Sequence, residues 1–354
     1  MRQRPSLPRR PRALAAVTAL GALAAALAAA APSRADCAPV THLATCVEAD
    51  GFWPHAGAGR FAFVGAPDTV AAGRVGFGLA TTYLRRPIAL RAPTADPSGT
   101  DVPAVDHQVD ATFLWAVGLT DRLEVSAAVP TSLYRSGTGV SAFTSQQATS
   151  IGRTAAHDLR FGLTYAWLPR AHAAEGFALA SRLEATAPVG DRDAFAGDRG
   201  WVVAPSVAAD VRVADLVTLG AEIGARLRAV TDVAGSRVGS QGYVAIGAAL
   251  DLVGDHLGVA LEAYALPTLV AQASLDRSPT TLALVESPSS RNLVAAEWMG
   301  SVSNASALDG DLLVSLGAGT GLPLTDPASL GTPHWRALVS VRYAPVAHAA
   351  APPR

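Results

Sequence analysis

The chain has 354 residues, 50% hydrophobic and only 16% charged, with a formal net charge of -1. All 28 basic residues are Arg and they are scattered, so no basic face exists to meet phosphates and a nucleic-acid partner is excluded. High apolar content near electroneutrality excludes intrinsic disorder. Either a large globular core or a surface wetted by lipid remains.

Residues 1–35 read as a secretory signal peptide. Five arginines lie between Arg2 and Arg12, an Ala/Leu run follows, and Ser33-Arg34-Ala35 offers small residues at a cleavage site. Cys37 and Cys46 are the only cysteines, and export to an oxidising compartment makes one short-loop disulfide the expectation. Two placements fit residues 36–72, a periplasmic lead or a plug in a lumen, and composition does not choose between them.

From residue 73 to residue 345 the chain alternates with period two. Between Val217 and Arg228, Val217, Leu219, Ala221, Ile223, Ala225 and Leu227 share one face, opposite Thr218, Gly220, Glu222, Gly224, Arg226 and Arg228. Twelve such segments are expected: 74–85, 107–117, 123–134, 157–167, 177–186, 201–213, 217–228, 242–251, 257–265, 292–302, 311–320 and 335–343. Each has 9 to 13 residues, near the ~9–11 of a tilted membrane strand and longer than the ~5–6 of soluble ones. The odd connections are long (86–106, 135–156, 187–200, 229–241, 266–291, 321–334) and the even ones short (118–122, 168–176, 214–216, 252–256, 303–310). That asymmetry belongs to outer-membrane barrels, with long extracellular loops and tight periplasmic turns. The expected fold is all-β, a transmembrane antiparallel up-and-down β-barrel of about 12 strands in the cell outer membrane of a Gram-negative host. Both of its ends are expected on the periplasmic side, and residues 346–354 form a C-terminal tail.

Lipid-facing aromatics should form two girdles, Tyr83, Trp201 and Trp335 at the outer interface and Trp115, Trp167, Phe177 and Tyr343 at the inner one. The charged residues on the opposite parity should line the lumen: Glu124, Arg160, Arg182, Glu184, Asp210, Arg212, Glu222, Arg226, Arg228, Glu262, Glu297, Arg336 and Arg342. Inward glycines (Gly76, Gly78, Gly162, Gly220, Gly224, Gly258, Gly317, Gly319) would leave room for a narrow passage. Twelve strands lie between the eight that side chains fill and the sixteen that enclose a channel.

The turn Val117-Gly118-Leu119-Thr120-Asp121-Arg122-Leu123-Glu124-Val125, the run Asp158-Leu159-Arg160-Phe161-Gly162 and the end Gly331-Thr332-Pro333-His334-Trp335-Arg336 resemble the N-terminal barrel of OmpA-type proteins and small porin-like transporter barrels. The resemblance covers about residues 60 to 345 and is architectural. It departs from the family in having no downstream peptidoglycan-binding domain and Leu338 where a glycine is usual. It implies a structural or porin-like passive transport role, with outer-membrane lipid and the barrel-assembly machinery as partners and small polar solutes as candidate permeants. The alternatives are an outer-membrane hydrolase and a receptor or adhesion surface on the long loops. No catalytic residue, cofactor or metal site is expected. His107 and His157 should be solvated at the extracellular rim, no G-x-S-x-G elbow occurs, and Gly317-Ala318-Gly319-Thr320-Gly321 reads as a strand of small residues.

Overall fold

In the computed structural model of the chain, residues 43–57, 59–92, 100–141, 151–170, 176–214, 216–233, 236–252, 256–277, 284–289, 292–307, 311–324 and 330–345 are described. The expected signal peptide, Cys37 and the tail 346–354 lie outside them.

Twelve strands form the barrel: β1 (Val75–Ala92), β2 (Thr100–Thr120), β3 (Leu123–Ser136), β4 (Leu159–Leu168), β5 (Gly176–Ala187), β6 (Val202–Val213), β7 (Val217–Arg226), β8 (Gln241–Asp251), β9 (Leu257–Pro267), β10 (Val294–Ala307), β11 (Leu312–Gly321) and β12 (Trp335–Tyr343). Each pairs antiparallel with its sequence neighbours, and β1 pairs with β12 from Phe77↔Tyr343 to Arg85↔Trp335, so the sheet closes and has no edge. The twelve segments found by alternation are the twelve barrel strands.

The outer face is a belt of large apolar side chains. Leu79, Phe113, Leu163, Leu183, Val207, Ile223, Ile246, Leu261, Val302, Leu316 and Val339 are all exposed, on every side of the barrel. No water-facing surface keeps a patch of that extent, and closure leaves no second protein layer to cover it. Acyl chains are its solvent. Trp201 and Trp335 stand exposed at the long-loop end, where Trp335 lies on Tyr83 with ring centroids 4.7 Å apart. Trp115, Trp167 and Phe177 stand exposed toward the short-turn end, where Phe77 meets Tyr343 at 5.3 Å.

Among the described residues, several connections carry more structure than alternation predicts. β1 and β2 run on past residues 85 and 107 as a protruding hairpin, with register shifts at Arg85/Ile88 and Ile88/Ala89 and Arg86 at φ 48°. Pro87 and Pro103 make this stretch read as loop. It stays extended because Ile88, Leu90, Ala104 and Val105 are buried against Leu43, Val47, Phe195 and Leu330. Thr231–Val233 pairs with Ser236–Val238, and Gln272–Arg277 pairs with Leu284–Ser289, within the long connections 229–241 and 266–291.

Leu261 is in mid-strand on the lipid face, 58% exposed. Leu261→Arg should destabilise the barrel by about 2–4 kcal/mol at midplane depth, read as a lower denaturant midpoint in lipid vesicles. An unchanged midpoint would mean that this face is not in hydrocarbon.

Candidate functional site

Residues 43–57 and 59–71 run down the inside of the barrel. At the long-loop end Leu43 bridges Val233, the Ala44 amide donates to the Asp232 carbonyl and the Ala49 amide to that of Phe195. At the short-turn end the Gly73 amide donates to the Gly118 carbonyl, just before β1 begins. Val75 and Tyr343, the ends of the barrel, are thus at the short-turn end, but residue 43 is at the opposite one. The ends of the barrel share one end, as expected of twelve strands, and residue 43 is opposite because the segment crosses the lumen before the first strand.

Carboxylates on the wall hold this segment by its backbone. Glu262 of β9 accepts the amides of Ala62 (2.8 Å) and Phe63 (2.7 Å) and, at 3.4 Å, Val64. Glu222 of β7 accepts the Gly65 amide at 2.7 Å, and Glu124 of β3 accepts that of Val70 at 2.8 Å. Arginines take the carbonyls: Arg182 donates to Ala66 and Arg342 to Gly59 and Phe61. Irregular backbone in a lumen has no strand partner, and each unmet amide costs about 1–3 kcal/mol. The inward charges supply those partners. At Gly65 the Arg182 guanidinium occupies the place a Cβ would take, 1.9 Å from it, so a larger residue there would displace that arginine.

The segment's own side chains complete the network. Arg336 of β12 forks onto Asp50 (2.9 and 2.6 Å) and also binds Glu297 at 2.9 Å, with Tyr264 donating to Glu297. Arg336 and Glu297 are almost fully buried. Trp53 lies under Arg226 at 4.0 Å and near Arg160 at 5.3 Å, and His55 sits between Glu184 (3.4 Å) and Glu222 (3.9 Å). Asp251 meets Arg60 from the segment and Arg212 from β6. Asp210 and Arg228 lie off the segment: Asp210 pairs with Arg170, and Arg228 with Asp198 at 2.9 Å.

Among the described residues, the space expected over Gly220 and Gly76 is occupied. The Phe61 ring lies where Cβ atoms of Gly220 and Gly247 would be, at 2.6 and 2.7 Å, and Val70 closes on Gly76. Cavities of about 10, 20 and 30 Å³ remain between segment and wall, lined in part by His55, Trp53 and Glu48 respectively. Each has room for one or two waters.

His157 is another correction: it is buried at the rim, not solvated. Its Nε2 lies 2.7 Å from the Ser132 hydroxyl, which donates to Asp110 at 2.6 Å, and its Nδ1 lies 3.3 Å from Glu48 on the segment. Burial alone would lower the imidazole's pKa; the Glu48 hydrogen bond and the Asp110 charge outweigh that and raise it, against opposition from Arg135. Burial likewise acts to raise Glu48, but bonding to His157 holds it below the usual carboxylate value. Alternation carries no sign of this contact, since His157 precedes β4 and its partner is 109 residues away. His107, by contrast, is part-exposed beside Tyr83 and Asp106. Cys46 is buried and disulfide-bonded. Among the described residues, no cluster of three or more His, Cys, Asp or Glu is arranged to hold a metal.

A family model described as "Putative MetA-pathway of phenol degradation" matches residues 91–283. No curated protein matches the chain. An outer-membrane channel from Pseudomonas putida F1 superposes with TM-score 0.53 at 12% identity, over 79% of this chain and 98% of that one. The NanC porin (TM-score 0.44, 8% identity, 75% and 98% coverage) and the Pseudomonas putida toluene transporter TodX (0.40, 10%, 85% and 96%) are more distant. At such identities the first likeness bears on the fold alone.

The His157–Glu48 tie should be pH-dependent with a definite sign. A raised histidine contributes fully below its ordinary value of 6.5 and is lost as pH rises through the raised one. A lowered carboxylate contributes above 4.5 and is lost as pH falls through the lowered value. Protection of amides 44–50 from hydrogen exchange, corrected for intrinsic rate, should therefore be greatest from about pH 4.5 to 6.5 and decline on the alkaline side. His157→Gln should abolish the alkaline decline. Separately, Glu262→Ala should speed exchange at Ala62, Phe63 and Val64 by the equivalent of about 1–3 kcal/mol, with the heat-shifted gel mobility of the barrel retained.

Proposed function

The chain belongs to the family described as "Putative MetA-pathway of phenol degradation", and from that premise we propose that it is a passive outer-membrane channel which residues 43–72 hold closed at rest. The permeants we assign to it are small neutral aromatic solutes of the phenol type, a narrower class than the polar solutes suggested by a charged lumen. The family description and the filled, charge-paired interior both favour that narrowing, since the interior leaves no wide aqueous path.

One observation carries the reading. What blocks the lumen is a strap suspended from the wall by hydrogen bonds and ion pairs, while the wall is a separately closed sheet. Such a strap can shift without opening the barrel. The likeness of the β2–β3 turn to OmpA-type barrels adds architecture and no activity.

A hydrolase is the second reading, because Ser132, His157 and Glu48 are spaced like a catalytic triad. The proton placement argues against it. The serine hydroxyl is already committed to Asp110, and the Glu48 and Asp110 carboxyl groups on either side of His157 favour its charged form over the free base a triad needs. We therefore read this cluster as a rim fastening and the protein as non-enzymatic. Covalent labelling of Ser132 by a fluorophosphonate would reverse that choice.

In planar bilayers the parent protein should show small, infrequent openings. Arg336→Ala strands Asp50 and Glu297 as buried charges, at a cost of about 3–5 kcal/mol, and should raise mean conductance several-fold by loosening the strap. Electrical silence of both proteins would count against a channel.

A further inference from the structure

One arginine stands on the lipid side of the wall. Below the protruding hairpin, and among the described residues, Arg85 is the one charged side chain in the outward rows of the twelve strands. On β1 it continues the row of Val75, Phe77 and Leu79, all exposed. In the sheet register Trp335 is its direct neighbour on β12 and His107 its direct neighbour on β2. Three outward side chains therefore lie abreast across the seam where the barrel closes. Tyr83, one outward step down, meets the Trp335 ring at 4.7 Å, and its hydroxyl is 2.5 Å from Nδ1 of His107.

The basic groups crowd about one acid. Asp106 accepts from Arg85 at 2.9 Å and from Arg86 at 3.1 Å, and Arg85 also touches the His107 ring. Both Arg85 contacts use Nη1, which leaves its Nε and Nη2 without a partner among the described residues. Exposed His334 adds a second imidazole, and its amide donates to the Arg85 carbonyl at 2.8 Å. Depth makes the position tolerable. An arginine facing hydrocarbon costs about 2–4 kcal/mol at the midplane but only about 0–1 near the interface. Arg85 is level with Trp335, a ring of the outer girdle, so it lies at headgroup depth. Directly below it the wall is apolar, with Leu79, Phe113, Val339 and Val341 exposed.

We propose that this seam patch binds a phosphate on the headgroup of an outer-leaflet lipopolysaccharide, whose acyl chains lie on the apolar belt below. The Nε and Nη2 edge of Arg85 is a planar fork that matches two phosphate oxygens. Arg86, His107 and His334 add positive charge around it, and basic clusters at a membrane surface attract anionic headgroups. Trp335 and Tyr83 give the headgroup amphipathic rings to rest on. A free phosphate ion would engage the cationic half alone; the apolar half selects a lipid. The inference depends on the outer-membrane location and not on what the barrel passes.

The test uses the purified full chain in mild detergent, with bound lipid counted by native mass spectrometry. The probes are lipid A carrying its phosphates, the same lipid A dephosphorylated, and inorganic phosphate. The parent should retain the phosphorylated lipid about tenfold better than the dephosphorylated one. Arg85→Gln should lower that retention by about tenfold, as loss of a charge-assisted fork implies. Arg85→Lys, which keeps the charge and loses the fork, should lower it several-fold. Arg153→Gln, at an exposed arginine in the β3–β4 connection, should leave it unchanged. Native heat-shifted mobility is required of every variant. Inorganic phosphate in excess should not displace the lipid; displacement would mark a site for the ion and overturn the lipid assignment. Equal retention of the two lipids, or unchanged retention in Arg85→Gln, would overturn the patch as a phosphate site. Bilayer conductance bears on the channel reading alone, so either can fail without the other.

Discussion

A buried charge must have a partner, and the interior of this barrel is organised around that requirement. Desolvating a carboxylate or guanidinium costs several kcal/mol unless good geometry repays it. The wall brings many such groups inward, with Arg336, Glu297, Glu262 and Arg160 almost wholly shielded from solvent. In a water-filled pore they could stay hydrated. Here a stretch of chain occupies the space, and it satisfies them with its backbone amides, its carbonyls and a few side chains such as Asp50 and Glu48. The dependence is mutual: an irregular backbone needs partners that only the wall can provide.

This exchange divides the molecule into two systems. The outer one is the β ladder, closed on itself and wetted by lipid on its apolar side. The inner one is a strap whose fastenings are ionic or directed at single backbone groups. Near the long-loop end the strap is additionally locked by packing, where Leu43 and Val47 join Ile88, Phe195 and Leu330 in an apolar cluster. Fastenings of these two kinds respond to different conditions, the cluster to temperature and the His157–Glu48 pair to pH.

The wall itself is not uniform. Most of its outer circumference is bulky aliphatic and aromatic residues, but at the seam of β12, β1 and β2 a guanidinium and an imidazole stand in the outward row beside Trp335. Axial closure by the strap and this basic break in the belt are separate features, carried by separate residues.

Strand count, strand positions, closure and the inward or outward side of nearly every barrel residue were legible in the sequence. They depend on a period of two and on loop lengths, which are local quantities. The extended β1–β2 hairpin was not legible, because Pro87 and Pro103 look like loop until the cluster that buries Ile88 and Val105 is known. Nor was the fate of the lumen. Gly220 and Gly76, two of the glycines that suggest open space, are contacted by Phe61 and Val70, and the histidine that reads as a wet rim residue is sealed against Glu48. The His157–Glu48 contact joins residues 109 positions apart and Arg336–Asp50 residues 286 apart. Alternation says which way a side chain points but is silent on what comes to meet it. Only the three-dimensional path of the amino-terminal segment decided whether the barrel's charges face water or protein.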